Sequence, residues 1–433
     1  MRARLQTHRN LFVAGIALLV LAPLVGGCAR SHVIQANEPV VLVFKHAKHP
    51  RYAELSQLIR DFEAENPHIR IREENLPTST DEQHQFYVIN LAARASDFDV
   101  LDMDVIWVPE FARAGWLTEL TPHLTPAELA PLNPSAVRAD WLDEKLYAVP
   151  WFVDAGVLYY RKDLLSKYGL PPPHTYPQLL KASGKILAAE RDPSLVGFVW
   201  QGMQYEGLVC AALEFVRGNG GEILRADGKP ALTEPATLEA LRFMSDLIRK
   251  YEVTPRLVTT LNEEATRHIF QSGRAIFMRN WPYAWGLLNR PGSPVAGRVG
   301  IALIPHFPGH HSAPTLGGFH LGVSAYSRHK SEATAFLRFM IRYAVQKEVL
   351  LKLGVLPAHM QVYRDPEVRQ ALPFLTDVLP ALERVQPRPV TPYYLMISQI
   401  LQPELSAIVA GVRPPEQAMR LAEQGILRLR EGQ

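Results

Sequence analysis

The sequence predicts an α/β protein built as two lobes, and three observations predict it. Short apolar runs such as residues 40–44 (Val-Val-Leu-Val-Phe) read as strands buried on both faces, as in parallel sheets. Apolar residues at helical spacing follow them, which gives β-α-β order. Length is the third: once a leader of 27 residues is set aside, 406 of the 433 remain, too many for one hydrophobic core and comfortable for two.

The leader is read from residues 1–28. Arg2, Arg4 and Arg9 precede an apolar run from Leu11 to Val25, and Val25-Gly26-Gly27 supplies the small residues that a secretory cleavage site needs. Cleavage there makes Cys28 the new N-terminus. A cysteine in that place can carry diacylglycerol and a further acyl chain, and two or more chains anchor a protein to a membrane stably. The plainer alternative is an ordinary signal peptide with an incidental cysteine. A polar tether, residues 28–39, follows.

Charge and cysteine content exclude several classes. The three leader arginines account for the excess of 46 Lys+Arg over 43 Asp+Glu, so the mature chain is formally neutral. It has no basic stripe to neutralise phosphates, and nucleic acid is excluded as a partner. With Cys28 acylated, Cys210 has no disulfide partner. After the leader, no stretch approaches 18 uncharged apolar residues, so the body does not span a membrane.

Each element follows in order. Leu55, Leu58, Ile59 and Phe62 mark a helix that stops at Pro67, and Ile69 and Ile71 alternate with polar residues in a second strand. A helix over 82–95 leads into a strand over 99–107. Ligands of such a domain meet the carboxyl ends of its strands. A second lobe begins near residues 145–153. Thr175 and Gln178 form a capping box for a helix over 176–189. Leu238, Leu241, Met244, Leu247, Ile248 and Tyr251 make the core-facing stripe of another helix. Strands over 275–278, 299–304 and 321–325 alternate with helices over 332–353 and 403–430.

Enzyme signatures are missing. The chain has no G-x-S-x-G, H-E-x-x-H, G-x-x-x-x-G-K-[ST] or helix-opening G-x-G-x-x-G. His46, His49 and the pair His310-His311 lack a third ligand at metal-binding spacing and read as solvated loop histidines. No cofactor is expected.

What remains is a set of aromatic and acidic residues in loop-like positions. Arg279-Asn280-Trp281-Pro282-Tyr283-Ala284-Trp285 places three large rings within five residues directly after a strand. A sugar ring offers C–H faces that Trp or Tyr can cover, and hydroxyls that carboxylates and amides can bind. Trp285 reads as core; Trp281 and Tyr283 read as a platform. Asp104 ends an apolar strand, where a carboxylate is costly to bury unless it is paired or faces a ligand. An exposed aspartate is the competing account, and Asp102 fits it as well. Asp154 lies on the expected crossing between lobes. Gly317-Gly318-Phe319 precedes a strand, and its glycines permit close approach of a ligand or make a tight turn.

Four segments carry a resemblance. They are 197–208 (Gly-Phe-Val-Trp-Gln-Gly-Met-Gln-Tyr-Glu-Gly-Leu), 279–286, 305–310 (Pro-His-Phe-Pro-Gly-His), and Pro387-Arg388-Pro389 ahead of Pro392-Tyr393-Tyr394. In matching order from about Val40 to the C-terminus, the chain resembles the trehalose/maltose-binding proteins of ABC importers, of the extracellular solute-binding family 1. The resemblance implies a type II periplasmic-binding-protein-like fold whose lobes, joined by several hinge crossings, close on a sugar and present it to a membrane permease. It implies an N-terminal lobe of 40–148 and 306–355, a C-terminal lobe of 149–305 and 356–433, and a monomer without enzymatic activity, held by its lipid anchor outside the cytoplasm.

By the same resemblance, Asp104 and Asp154 accept hydroxyls, Trp281 and Tyr283 stack, Gly318 gives a backbone contact, Arg388 donates, and Glu263 or Glu264 supplies an acidic contact. Three departures accompany it. Phe319 stands where the family reads Trp; Lys45, His46, Lys48, His49 and Arg51 make the first loop basic; and His84 replaces an expected arginine. An acidic sugar derivative would suit Lys45, His46 and His84, while Lys48, His49 and Arg51 read as a solvated rim. Two other classes stay open at this point: a secreted glycosidase with Asp104 and Asp154 as paired carboxylates, and a structural envelope lipoprotein.

Overall fold

A computed structural model describes residues 38–47, 54–77, 80–225 and 227–431. The leader, Cys28 and its tether to residue 37, and Lys48, His49 and Arg51 lie outside the described residues.

The chain opens with β1 (Val40–Ala47), α1 (Leu55–Glu65), β2 (Ile69–Leu76), α2 (Thr80–Ala92) and β3 (Val100–Asp104). Helices α3 (Val108–Arg113), α4 (Pro126–Leu129) and α5 (Pro134–Ala139) follow, then a small hairpin of β4 (Trp141–Leu142) and β5 (Lys145–Leu146). β6 (Ala148–Ala155) passes directly into β7 (Val157–Arg161), followed by α6 (Lys162–Lys167), α7 (Tyr176–Glu190), β8 (Val196–Val199), α8 (Glu206–Arg217) and α9 (Pro235–Arg249). Next come α10 (Glu263–Gln271), β9 (Ala275–Asn280), α11 (Ala284–Asn289), β10 (Val299–Ala302), β11 (Leu316–Val323), α12 (Lys330–Met340) and α13 (Tyr343–Glu348). The chain closes with α14 (Pro366–Ala371), α15 (Leu375–Arg384), α16 (Tyr394–Ala410) and α17 (Pro415–Glu431).

Two sheets organise these elements. The first has the order β2-β1-β3-β11-β6, with β1 parallel to β2 and β3, and β11 antiparallel to β3 and β6. The second has the order β10-β7-β9-β8. Leu55, Leu58, Ile59 and Phe62 of α1 bury one face against the first sheet, and α8 is buried along nearly its whole length beside the second. Thr175 and Gln178 complete the expected capping box at the start of α7.

Several boundaries differ from the sequence reading. The strand expected to 107 ends at Asp104, because that side chain turns back to accept the N–H of Ile106 and starts a tight turn. The glycine pair 317–318 lies inside β11 rather than before a strand. The helix expected over 332–353 is α12 and α13 followed by a wide turn over 349–353, and the one expected over 403–430 is divided at Gly411, left-handed at φ 67°. Tyr251 falls beyond the end of α9 and is exposed. Asp102 is fully buried, so the exposed reading of it is corrected.

The lobe boundaries also shift. β6, expected in the C-terminal lobe, is bonded into the first sheet, and Leu356 and Pro357 pair with it through Val153 and Phe152. Residues 306 and 307, expected in the N-terminal lobe, sit with the second: His306 bridges to Thr175, and Phe307 packs on Tyr176 at 5.0 Å.

Candidate functional site

The first sheet brings two strand segments to one edge. Asp104 Oδ1 accepts from Ile106 N at 3.1 Å and from Arg388 Nη2 at 3.0 Å, while Oδ2 has no hydrogen-bond partner among the described residues. Phe319 is the register partner of Asp104 on β11, and its ring stacks on Phe152 at 5.4 Å and meets the edge of Trp107 at 6.4 Å. Gly318 has φ +118°, and a Cβ there would stand 2.3 Å from the carbonyl oxygen of Phe152, so only glycine fits. Gly317 pairs with Asp154, which is half-buried at the end of β6.

The second sheet supplies the rings. Trp281 and Tyr283 leave the end of β9 half-buried, each tied to its own carboxylate on the first turn of α10. Trp281 Nε1 donates to Glu263 Oε1 at 3.3 Å, and the Tyr283 hydroxyl donates to Glu264 Oε1 at 2.6 Å. The Tyr205 hydroxyl takes the other oxygen of Glu263 at 2.7 Å. Burial and the neighbouring carboxylates push both tyrosines far above the ordinary phenol range, so both keep their protons and donate. The two acidic candidates at 263 and 264 therefore divide the work of fixing the two rings.

Beneath Trp281 lies a fully buried ion pair. The Arg279 guanidinium sits 4.0 Å from the ring centroid and donates to both oxygens of Glu214, at 2.9 and 2.7 Å. Burial alone would lower the arginine's proton affinity, but the charge of Glu214 outweighs it and raises it. Glu214 in turn accepts from Thr315 N at 3.2 Å, and a Cβ at Gly156 would come 1.8 Å from its Oε1.

The two halves meet at Trp281. A Cβ on Gly317 would be 3.3 Å from Cζ3 of the indole and 3.3 Å from Cβ of Asp154, so the missing side chain lets the ring lie against β11. Asp104 is opposite Phe319, two residues or about 7 Å along the same strand. Arg388 is buried in the segment before α16 and also donates to Glu206 Oε1 at 3.0 Å. Trp285 stands apart, half-buried and stacked on Phe374 at 4.8 Å.

The cations expected to suit an acidic ligand are each held by a carboxylate. Lys45 pairs with Glu74, His46 lies 3.3 Å from Glu73, and His84 lies 3.0 Å from Glu110 while stacking on Phe111 at 5.6 Å. His46 is buried, which favours the neutral ring, but Glu73 and the charge of Asp102 raise its affinity for a proton.

Glu206, Glu214 and Tyr205 were not singled out from the sequence. A signal existed for Glu214: it is a lone carboxylate in the apolar run 207–216 of α8. A cavity of about 1110 Å³ runs along residues 383–391 and is lined also by Arg138, Arg217 and Tyr393; of the expected ligand residues, Arg388 alone borders it.

Comparison with known proteins places this geometry. The model of the bacterial extracellular solute-binding protein family matches residues 46–347. A Deinococcus radiodurans protein described as "Probable ABC transporter-binding protein" is 36% identical over 362 residues, covering 82% of this chain and 85% of its own. The structure of maltose-bound T. maritima MalE3 is 39% identical, with a TM-score of 0.81 over 90% of this chain and 100% of that one. An ABC transporter solute-binding protein of Thermotoga lettingae bound with α-D-tagatose is 25% identical, with a TM-score of 0.76 over 90% and 98%. Two sheets joined by short crossings, with Trp281 of one lying against Gly317 of the other, are thus the periplasmic-binding-protein-like fold, and the chain belongs to the bacterial extracellular solute-binding protein family.

Proposed function

We propose that this chain is the solute-binding component of an ABC importer and that it holds an uncharged sugar, of the size of maltose, trehalose or a related glycoside, at the seam between its lobes. The observation that carries the reading is the convergence of Trp281, fixed by Glu263 and Arg279, on Gly317 and Asp154 of the opposite sheet. Rings held in place cover apolar sugar faces at little entropic cost, and Asp104 Oδ2, Asp154 and the backbone at Gly318 supply acceptors for hydroxyls. The maltose in the structure of T. maritima MalE3 supports a disaccharide.

Charge favours a neutral solute over an acidic one. Lys45, His46, His84, Arg279 and Arg388 each face at least one protein carboxylate, so an added anion would compete with those pairs. The lobes are divided at 155/156 and 315/316, with 356–358 in the N-terminal lobe. Cleavage before Cys28 and its acylation hold the protein as a monomer at the outer face of a membrane. The permease recognises the closed form, and the solute leaves unaltered.

The test is a calorimetric titration with maltose, trehalose, mannitol and glucuronic acid. Saturable binding of a neutral disaccharide with maltose recovered intact is expected. Binding of glucuronic acid alone, or release of glucose from maltose, would overturn the reading.

A further inference from the structure

Arg388 is a ligand candidate that touches charged groups on both sides of the seam. Its Nη2 reaches Asp104 at the end of β3 in the first lobe, and its Nη1 reaches Glu206 at the start of α8 in the second, each at 3.0 Å. Gln386 still bonds to Leu316 of β11, and from Pro387, which accepts from Arg217 at the end of α8 at 2.9 Å, the chain runs onto the second lobe. Glu206 is held firmly on that lobe. The hydroxyl of Tyr394 donates to it at 2.6 Å, Ser398 donates to its other oxygen, and the ring of Tyr394 lies 5.9 Å from the guanidinium. The sequence motif around 204–208 contains Glu206, yet neither the sugar reading nor the resemblance assigns it a role.

We propose that Glu206 is a positioning residue that parks the charge of Arg388 when the lobes part. The inference rests on the solute-binding reading, because it needs lobes that open. With the lobes together, as they are here, Arg388 has two carboxylates. Opening takes Asp104 away with the first lobe, while Glu206 travels with Arg388 and keeps it neutralised. An arginine whose sole counter-charge lay across the seam would instead resist opening, since separating a desolvated pair leaves each charge uncompensated. Glu206 therefore sets the open–closed balance of the empty protein, and it does so through Arg388 without needing to touch the solute. Asp104 has the opposite effect: its pair with Arg388 favours closure, while its free Oδ2 stays directed to a hydroxyl.

The two carboxylates thus predict opposite signs, which a fold-wide destabilisation would not give. Paired spin labels on Ile89→Cys and Val412→Cys report the lobe separation; both sites are exposed, at 68% and 78%, and Cys210 is buried. The acylated full chain is measured without ligand by pulsed electron spin resonance. Glu206→Gln is expected to raise the short-distance population roughly tenfold relative to the long one, and Asp104→Asn to lower it. In the double variant the Glu206 effect disappears, because the pair it acts on is gone. An unchanged or lengthened distribution in Glu206→Gln, or a Glu206 shift that persists with Asp104→Asn, overturns the proposal. If Glu206→Gln does not fold, Arg388→Met replaces it: a shift to long distances is expected, and an unchanged distribution counts against the latch. Maltose is added last. No response to maltose in any variant counts against the sugar reading, while the ligand-free order of distances still decides this proposal.

Discussion

The two faces of the seam use the same residue types in opposite ways. On the first lobe, charged side chains pair along the rim of the sheet: Lys45 with Glu74, which Arg72 shares, His46 with Glu73, and His84 with Glu110. Their carboxylates are a quarter to a third exposed, so water shares the load. On the second lobe, Arg279 and Glu214 are both 2% exposed and support a tryptophan from below. A rim pair tunes its surroundings weakly, whereas a desolvated pair becomes part of the frame on which the ring rests. Position in the dielectric, more than residue type, decides which role a charge plays.

The strongest way to break this comparison is Arg279→Met. It strands Glu214 without its guanidinium, and chemical denaturation should show a loss of about 3–5 kcal/mol. A loss below about 1 kcal/mol would put Arg279 in the same class as the rim pairs. Next is Trp281→Ala, which removes the ring and leaves the frame. Calorimetry with maltose should show a loss of about 2 kcal/mol or more in binding, as truncating a buried aromatic anchor commonly does, with a much smaller change in the melting transition.

Two smaller effects sharpen the other side. His46 has its proton affinity raised in the fold, so its protonated form stabilises the protein below its ordinary pKa of 6.5, and that contribution fades as pH rises through the elevated value. Between pH 6 and 8 the native protein should therefore lose up to about 1 kcal/mol relative to His46→Gln, read from paired denaturation curves. Lys45→Met should cost the least, under about 1 kcal/mol, because its partner Glu74 is one-third exposed.

Much of the architecture was legible because periodicity reports burial. The run 40–44 and the spacing of Leu55 to Phe62 fix β1 and α1 without knowledge of any partner. The rings at 281 and 283 stand out in the sequence because three aromatics within five residues after a strand exceed what one small core needs. Glu206 does not, since a glutamate at a helix start ordinarily faces water and only the surrounding packing shows its partners, while Glu214 leaves no more than the mark of a lone carboxylate in an apolar run. The same holds for Lys45, His46 and His84, which read as a site for anions until β2 and α3 bring Glu74, Glu73 and Glu110 beside them. Crossing points were misplaced for a related reason, because β6 and β7 run on from one another with a single glycine between them, and composition does not change there.

That glycine carries a mechanical consequence. Gly156 N donates to Thr315 O at 3.3 Å, and Gln386 bonds to Pro314 O and Leu316 N at 2.8 Å each, so the crossings after β6, before β11 and before α16 are fastened to one another. On the opening proposed above, the lobes would therefore turn about one axle rather than flex at separate joints. Motion of that kind has a single coordinate, and a residue larger than glycine at this pivot would jam it against Glu214.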